Sequence, residues 1–154
     1  MFEYGFIGTG NMASALCEAL VKCVSPETVL LSNRTAEKAE KLAKEPGCKF
    51  ADNKSVAQQC KYIFLGVKPQ MLSALADEIK PYLEKREDRF ILISMAAGRS
   101  TEDIAEKFGA YPIIRIMPNV ACAVGEGMTL CAKNSLVTDA EYSEFFNAMS
   151  NREN

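Results

Sequence analysis

No histidine occurs among the 154 residues. That removes the commonest general acid and base. The six cysteines, Cys17, Cys23, Cys48, Cys60, Cys122 and Cys131, form no C-x-x-C pair. Zinc sites built from thiolates use such closely spaced pairs, so no metal centre is expected. Scattered through apolar stretches, these cysteines read as small, reduced core residues. Neither sign of charge is in excess: 18 basic against 20 acidic side chains leave a net charge of -2, with no electrostatic footprint for nucleic acid. No apolar run approaches the roughly 20 residues that a membrane helix needs. The chain starts directly in a strand-like segment, without a basic region or a cleavage site, so no secretory signal and a cytoplasmic location are expected. Internal repeats, low-complexity segments and linkers are also missing. With 48% hydrophobic and 25% charged residues, the composition is that of an ordinary globular chain long enough for one core. Residues 1–150 read as a single dinucleotide-binding domain and 151–154 as a tail.

What is present is a glycine-rich turn at the N-terminus. Tyr4-Gly5-Phe6-Ile7 is a short apolar strand, and Gly8-Thr9-Gly10-Asn11-Met12-Ala13 follows it as G-x-G-x-x-A. A helical pattern starts at once, with Ala15, Leu16, Ala19 and Leu20 on one face. A dinucleotide fingerprint requires this strand–turn–helix context. Gly8 permits the tight turn, Gly10 lets the backbone approach a pyrophosphate, and Ala13 lets helix and strand lie close. The helix N-terminus offers unpaired N–H groups and a partial positive charge to the phosphates.

Further along, strands and helices alternate. Strands are predicted at 29–32, 48–51, 62–67, 90–94 and 113–117, with an edge strand at 128–132. Helices are predicted at 11–22, 36–44, 54–60, from Pro69 to about Lys85, from the Ser100 cap to Phe108, and from the Thr138-Asp139-Ala140-Glu141 capping box to about Met149. The pattern specifies an α/β fold, a doubly wound, mostly parallel Rossmann-like sheet with helices on both faces. Ligands of such sheets bind beyond the C-terminal strand ends, near the switch in strand order.

Those strand ends are therefore the positions to read. The second strand runs into Ser32-Asn33-Arg34-Thr35, without the Asp or Glu that holds the ribose of NAD. A guanidinium flanked by two hydroxyls suits a 2′-phosphate instead, which favours NADP over NAD. Gly66-Val67-Lys68-Pro69 and Met95-Ala96-Ala97-Gly98 follow two further strands and read together as the floor of one crevice. No carboxylate pair and no Ser or Cys beside a base stands out, so no catalytic side chain is assigned. Hydride transfer is compatible with that, because the cofactor carries the chemistry.

These segments, with Ser94-Met95-Ala96-Ala97-Gly98, Arg115-Ile116-Met117-Pro118-Asn119 and Gly125-Glu126-Gly127, make most of the chain resemble the N-terminal part of the pyrroline-5-carboxylate reductases. The resemblance implies reduction of 1-pyrroline-5-carboxylate to L-proline by hydride from NAD(P)H, in proline biosynthesis, with NADPH preferred on the strength of Arg34. It implies a cofactor site at Ile7, Gly8, Thr9, Gly10, Asn11, Met12, Ser32, Asn33, Arg34, Asn53, Gly66, Val67, Lys68, Pro69, Met95, Ala96 and Ala97. Pro118 and Asn119 would lie near the substrate. Members of that family continue into a helical domain that forms the dimer and holds the substrate carboxylate, and nothing in this sequence matches it. These 154 residues are therefore expected to bind cofactor, turn over little substrate and associate weakly or not at all, while the full-length protein forms a homo-oligomer. Two alternatives stay open: a dinucleotide-binding module without catalysis, and a fragment of a β-hydroxyacid dehydrogenase-type oxidoreductase, which shares the fingerprint.

Overall fold

A computed structural model describes residues 2–8, 16–18, 20–21, 24–32, 48–95, 100–118 and 128–149. The predicted helix at 36–44, most of that at 11–22 and the tail at 151–154 lie outside the described residues; residues 16–18 and 20 are helical.

The described strands are β1 (Phe2–Ile7), β2 (Val29–Ser32), β3 (Lys49–Phe50), β4 (Cys60–Leu65), β5 (Ile91–Ser94), β6 (Ile113–Pro118) and β7 (Met128–Lys133). They form one sheet in the order β3-β2-β1-β4-β5-β6-β7. Every pairing is parallel except β6 with β7. The helices α1 (Asn53–Gln59), α2 (Leu72–Glu84), α3 (Thr101–Phe108) and α4 (Asp139–Met149) alternate with them, and single 3-10 turns stand at Pro26–Thr28 and Pro69–Met71. This is the doubly wound fold that the alternation predicts, with β7 as the expected edge strand.

Strand periodicity assigns the core to two layers, because successive side chains leave a strand on opposite faces. Tyr4 and Phe6 of β1, Tyr62 and Phe64 of β4, and Ile91 and Ile93 of β5 pack on one face with Leu16, Leu20 and Phe145 of α4. Phe6 stacks on Phe64 at 4.2 Å and Tyr4 on Tyr62 at 5.4 Å, matching their positions opposite each other in the register. Ile7, Ile63, Leu65 and Leu92 face the other way, onto Val56 of α1, Leu72, Leu75 and Ile79 of α2, and Ile104 of α3. Cys17, Cys48 and Cys60 are buried free thiols, as the sequence suggests. Burial pushes the Cys60 thiol up to about 12, so it stays protonated at neutral pH.

Some boundaries differ from the sequence reading. Cys60 opens β4 opposite Phe2 rather than closing α1. β4 stops at Leu65, short of Val67, where both neighbours end: its pairing with β1 closes at Ile7 and that with β5 at Ser94. β6 runs one residue further than predicted, through Pro118, which pairs with Met128 across a register shift between Ile116 and Pro118.

α4 is fixed by its N-terminus. Thr138 N–H donates to Glu141 Oε1 at 2.9 Å and Glu141 N–H to Thr138 Oγ1 at 3.1 Å, the predicted capping box. Arg89 donates to the same carboxylate through Nε, and through Nη2 at 2.8 Å. The Arg89 bonds first, and the Thr138 N–H next, hold the Glu141 carboxyl at about 2 instead of 4.5. A carboxylate whose folded pKa is depressed stabilises the fold above its ordinary pKa, and this contribution fades as pH falls toward the folded value. Thermal melting from pH 5 down to pH 2 is therefore expected to show a decline in stability that is shallower in Glu141→Gln than in the wild type. Superimposable pH profiles would remove Glu141 from this role.

Candidate functional site

The site is built where β1 ends, between β2 and β4, the point at which successive crossovers leave for opposite sides. Two backbone bonds carry the ladder one step past β1. Gly8 N–H donates to Ser32 O at 2.9 Å, and Gly66 N–H donates to Ile7 O at 2.7 Å. Gly8 then turns with φ of 91°, a conformation side chains rarely adopt. A Cβ at Gly8 would lie 2.8 Å from Gly66 C and 2.9 Å from Gly66 O, so the absence of a side chain lets the ends of β1 and β4 approach.

Beside this turn, three polar side chains from three elements stand in series. Ser32 is fully buried at the end of β2. Its hydroxyl donates to Asn53 Oδ1 at 2.6 Å. Asn53 Nδ2 in turn donates to both carboxylate oxygens of Glu78, at 3.2 and 3.3 Å. Asn53 holds its place because it opens α1: the Asp52 carboxylate accepts Ser55 N–H at 2.9 Å as the helix cap. That bond, with the Ser55 side chain, holds the Asp52 carboxyl below its ordinary range.

These residues border a cleft of about 100 Å³ lined by Ile7, Gly8, Asn53, Val67, Met71, Ala74, Leu75 and Glu78. Ligand sites commonly span about 300–1,000 Å³, so a space of this size takes one portion of a dinucleotide. Its chemistry is two-sided. Ile7, Val67, Met71, Ala74 and Leu75 offer an apolar wall to a flat ring, and Asn53 offers a donor to a sugar. That combination fits the adenosine portion of a nicotinamide dinucleotide.

The structure thus gathers Ile7, Gly8, Ser32, Asn53, Gly66 and Val67 of the predicted site at the ends of β1, β2 and β4. Lys68 and Pro69 follow as the start of the Pro69–Met71 turn, closed by Met71 N–H donating to Lys68 O at 2.8 Å. Met95 follows β5, the strand beside β4, but its side chain packs toward the opposite core layer, away from this cleft. Pro118 lies two strands from β4. Thr9, Gly10, Asn11, Met12, Asn33, Arg34, Ala96, Ala97 and Asn119 lie outside the described residues. Met71, Ala74, Leu75 and Glu78 were missed by reading strand ends alone. Their spacing of three to four residues along α2 and its preceding turn marks one face of a helix, the signal that would have found them.

Comparison with known proteins finds relatives over most of this chain. A family model described as NADP oxidoreductase, coenzyme F420-dependent, matches residues 3–98. The chain is 33% identical over 147 residues to the pyrroline-5-carboxylate reductase of Corynebacterium melassecola, covering 94% of this chain and 54% of the relative. Against pyrroline-5-carboxylate reductase 3 of Xenopus laevis the identity is 31%, covering 92% and 52%. Among solved structures, a pyrroline-5-carboxylate reductase from Coxiella burnetii superimposes with a TM-score of 0.85 at 26% identity, over 97% of this chain and 56% of the other. The Plasmodium falciparum pyrroline carboxylate reductase with NADP bound gives 0.81 at 25% identity, over 97% and 54%. The chain spans about half the length of the curated relatives it matches.

Proposed function

We infer the function from the family as premise: the chain belongs to the family described as NADP oxidoreductase, coenzyme F420-dependent. We propose that it is the dinucleotide-binding part of a cytoplasmic NADPH-dependent reductase that converts 1-pyrroline-5-carboxylate to L-proline, and that the whole enzyme is a homo-oligomer. The observation that carries this reading is the positive-φ turn at Gly8, clamped between Ser32 and Gly66 at the switch in strand order. It stands in a chain that aligns over more than nine-tenths of its length with reductases of that name.

When bound, NADPH supplies the hydride that reduces a ring imine. The chain's residues bind and orient. Gly8, Thr9, Gly10, Asn11 and Met12 would present backbone to the pyrophosphate, with Gly10 the position where a Cβ would intrude. Ser32, Asn33, Arg34 and Asn53 serve the adenosine ribose, and Arg34 pairs with a 2′-phosphate through forked donors. Ile7, Gly66, Val67, Lys68 and Pro69 form the wall beside them. Met95, Ala96 and Ala97 would serve the nicotinamide, and Pro118 and Asn119 the substrate. NAD is the weaker cofactor, for want of a carboxylate directly after β2.

The test is a chimera. Residues of this chain replace the matched half of the Corynebacterium melassecola relative, and NADPH oxidation is followed at 340 nm. Turnover that depends on 1-pyrroline-5-carboxylate is expected. A folded chimera that binds NADPH yet leaves that imine unreduced would overturn the substrate assignment.

A further inference from the structure

We propose that Glu78 is a positioning residue of the cofactor site: its carboxylate fixes which way the Asn53 amide faces, and so which group Asn53 presents to the ribose. The inference rests on the dinucleotide reading above and adds a residue to it. An asparagine amide has nearly isosteric ends, and only its partners decide its orientation. Ser32 cannot decide alone, because a hydroxyl both donates and accepts. A carboxylate only accepts. Glu78 therefore sets the polarity of the whole series. Nδ2 must face Glu78, at 3.2 and 3.3 Å from its oxygens, which leaves Oδ1 to take the buried Ser32 hydroxyl at 2.6 Å. The other contact of that hydroxyl, Phe6 O at 3.5 Å, is too long to compete. Nδ2 carries two hydrogens, so one remains for a ribose oxygen while the other is held by Glu78. The three residues come from the end of β2, the first turn of α1 and the middle of α2, so the Asn53 amide is oriented from two sides before any ligand arrives. Pre-set donors of this kind reduce the ordering that binding must impose.

Calorimetric titration of NADPH into the wild-type chain and four variants tests this. Glu78→Ala is expected to weaken binding about fivefold, the effect of one exposed charge-assisted hydrogen bond. Glu78→Gln, whose amide donates as well as accepts and so no longer fixes the direction of the Asn53 amide, is expected to weaken binding as well, by less than Glu78→Ala. In the Asn53→Ala background, Glu78→Ala is expected to change nothing further, because its action passes through Asn53. Glu78 is solvent-exposed, so melting curves should coincide for all the Glu78 variants. The side-chain amide resonances of Asn53 in the cofactor-free protein should also move in both Glu78→Ala and Glu78→Gln. Wild-type affinity in Glu78→Ala, or an equal loss when Asn53 is already alanine, would overturn the positioning role while leaving the cofactor site standing. No binding by the folded wild type would overturn the cofactor site and this role with it.

Discussion

Gly8→Val is expected to lower stability by about 3 kcal/mol and to abolish dinucleotide binding. Two costs add. A branched residue at φ of 91° is held in a sparsely populated conformation, at roughly 1–3 kcal/mol. Its Cβ would also lie 2.8, 2.9 and 3.0 Å from Gly66 C, Gly66 O and Val67 N. All three are backbone atoms at the end of β4, and no rotamer change moves them aside. Relief requires β1 and β4 to separate where Gly66 N–H meets Ile7 O at 2.7 Å, which opens the cleft beside Asn53. In a chain of this length, such a loss corresponds to a fall of about 6–12 °C in melting temperature. Circular dichroism measures it, and fluorescence of added NADPH measures binding. A variant that melts and binds as the wild type would show that the turn does not need glycine.

A second glycine matters for packing alone. Gly5 lies inside β1, on the side facing α1, and a Cβ there would sit 2.4 Å from Cys60 Sγ, 2.6 Å from Val56 Cγ1 and 2.9 Å from Cys60 Cβ. Val56 and Cys60 are fully buried, so neither can swing into solvent. Gly5→Val is expected to destabilise by about 3 kcal/mol, at the upper end of overpacking costs. Trimming the neighbours should recover part of it: with Val56→Ala and Cys60→Ala present, Gly5→Val should cost well under its value in the wild type. Chemical unfolding of the four combinations gives the coupling, and strictly additive losses would contradict the close approach of α1 to β1.

The layering of the sheet was legible from residue alternation. Tyr4, Phe6, Tyr62 and Phe64 fall on one side and Ile7, Ile63 and Leu65 on the other, because strand periodicity is a local property. The turn at Gly8 was equally local. The ends of β4 were not. Cys60 fits a helix end or a strand start, and only Phe2 across the ladder decides between them. Val67 looks like strand continuation, but a strand stops where its neighbour leaves it. Least legible was the Ser32–Asn53–Glu78 series, whose members stand 21 and 25 residues apart. Their meeting depends on how α1 and α2 lie across the sheet. The lack of a carboxylate directly after β2 argued for a cofactor with a 2′-phosphate, and nothing local to Ser32 announced that α2 brings a carboxylate to the same cleft.

We propose that the end of β1, with the cleft beside it, is an NADPH site carried by this chain itself. Isothermal titration of NADPH, and separately NADH, into the purified 154-residue protein tests it most directly. One NADPH is predicted to bind per chain, more tightly than NADH, with the heat lost in Gly8→Val. A folded wild-type protein that gives no binding heat with either dinucleotide would contradict the account.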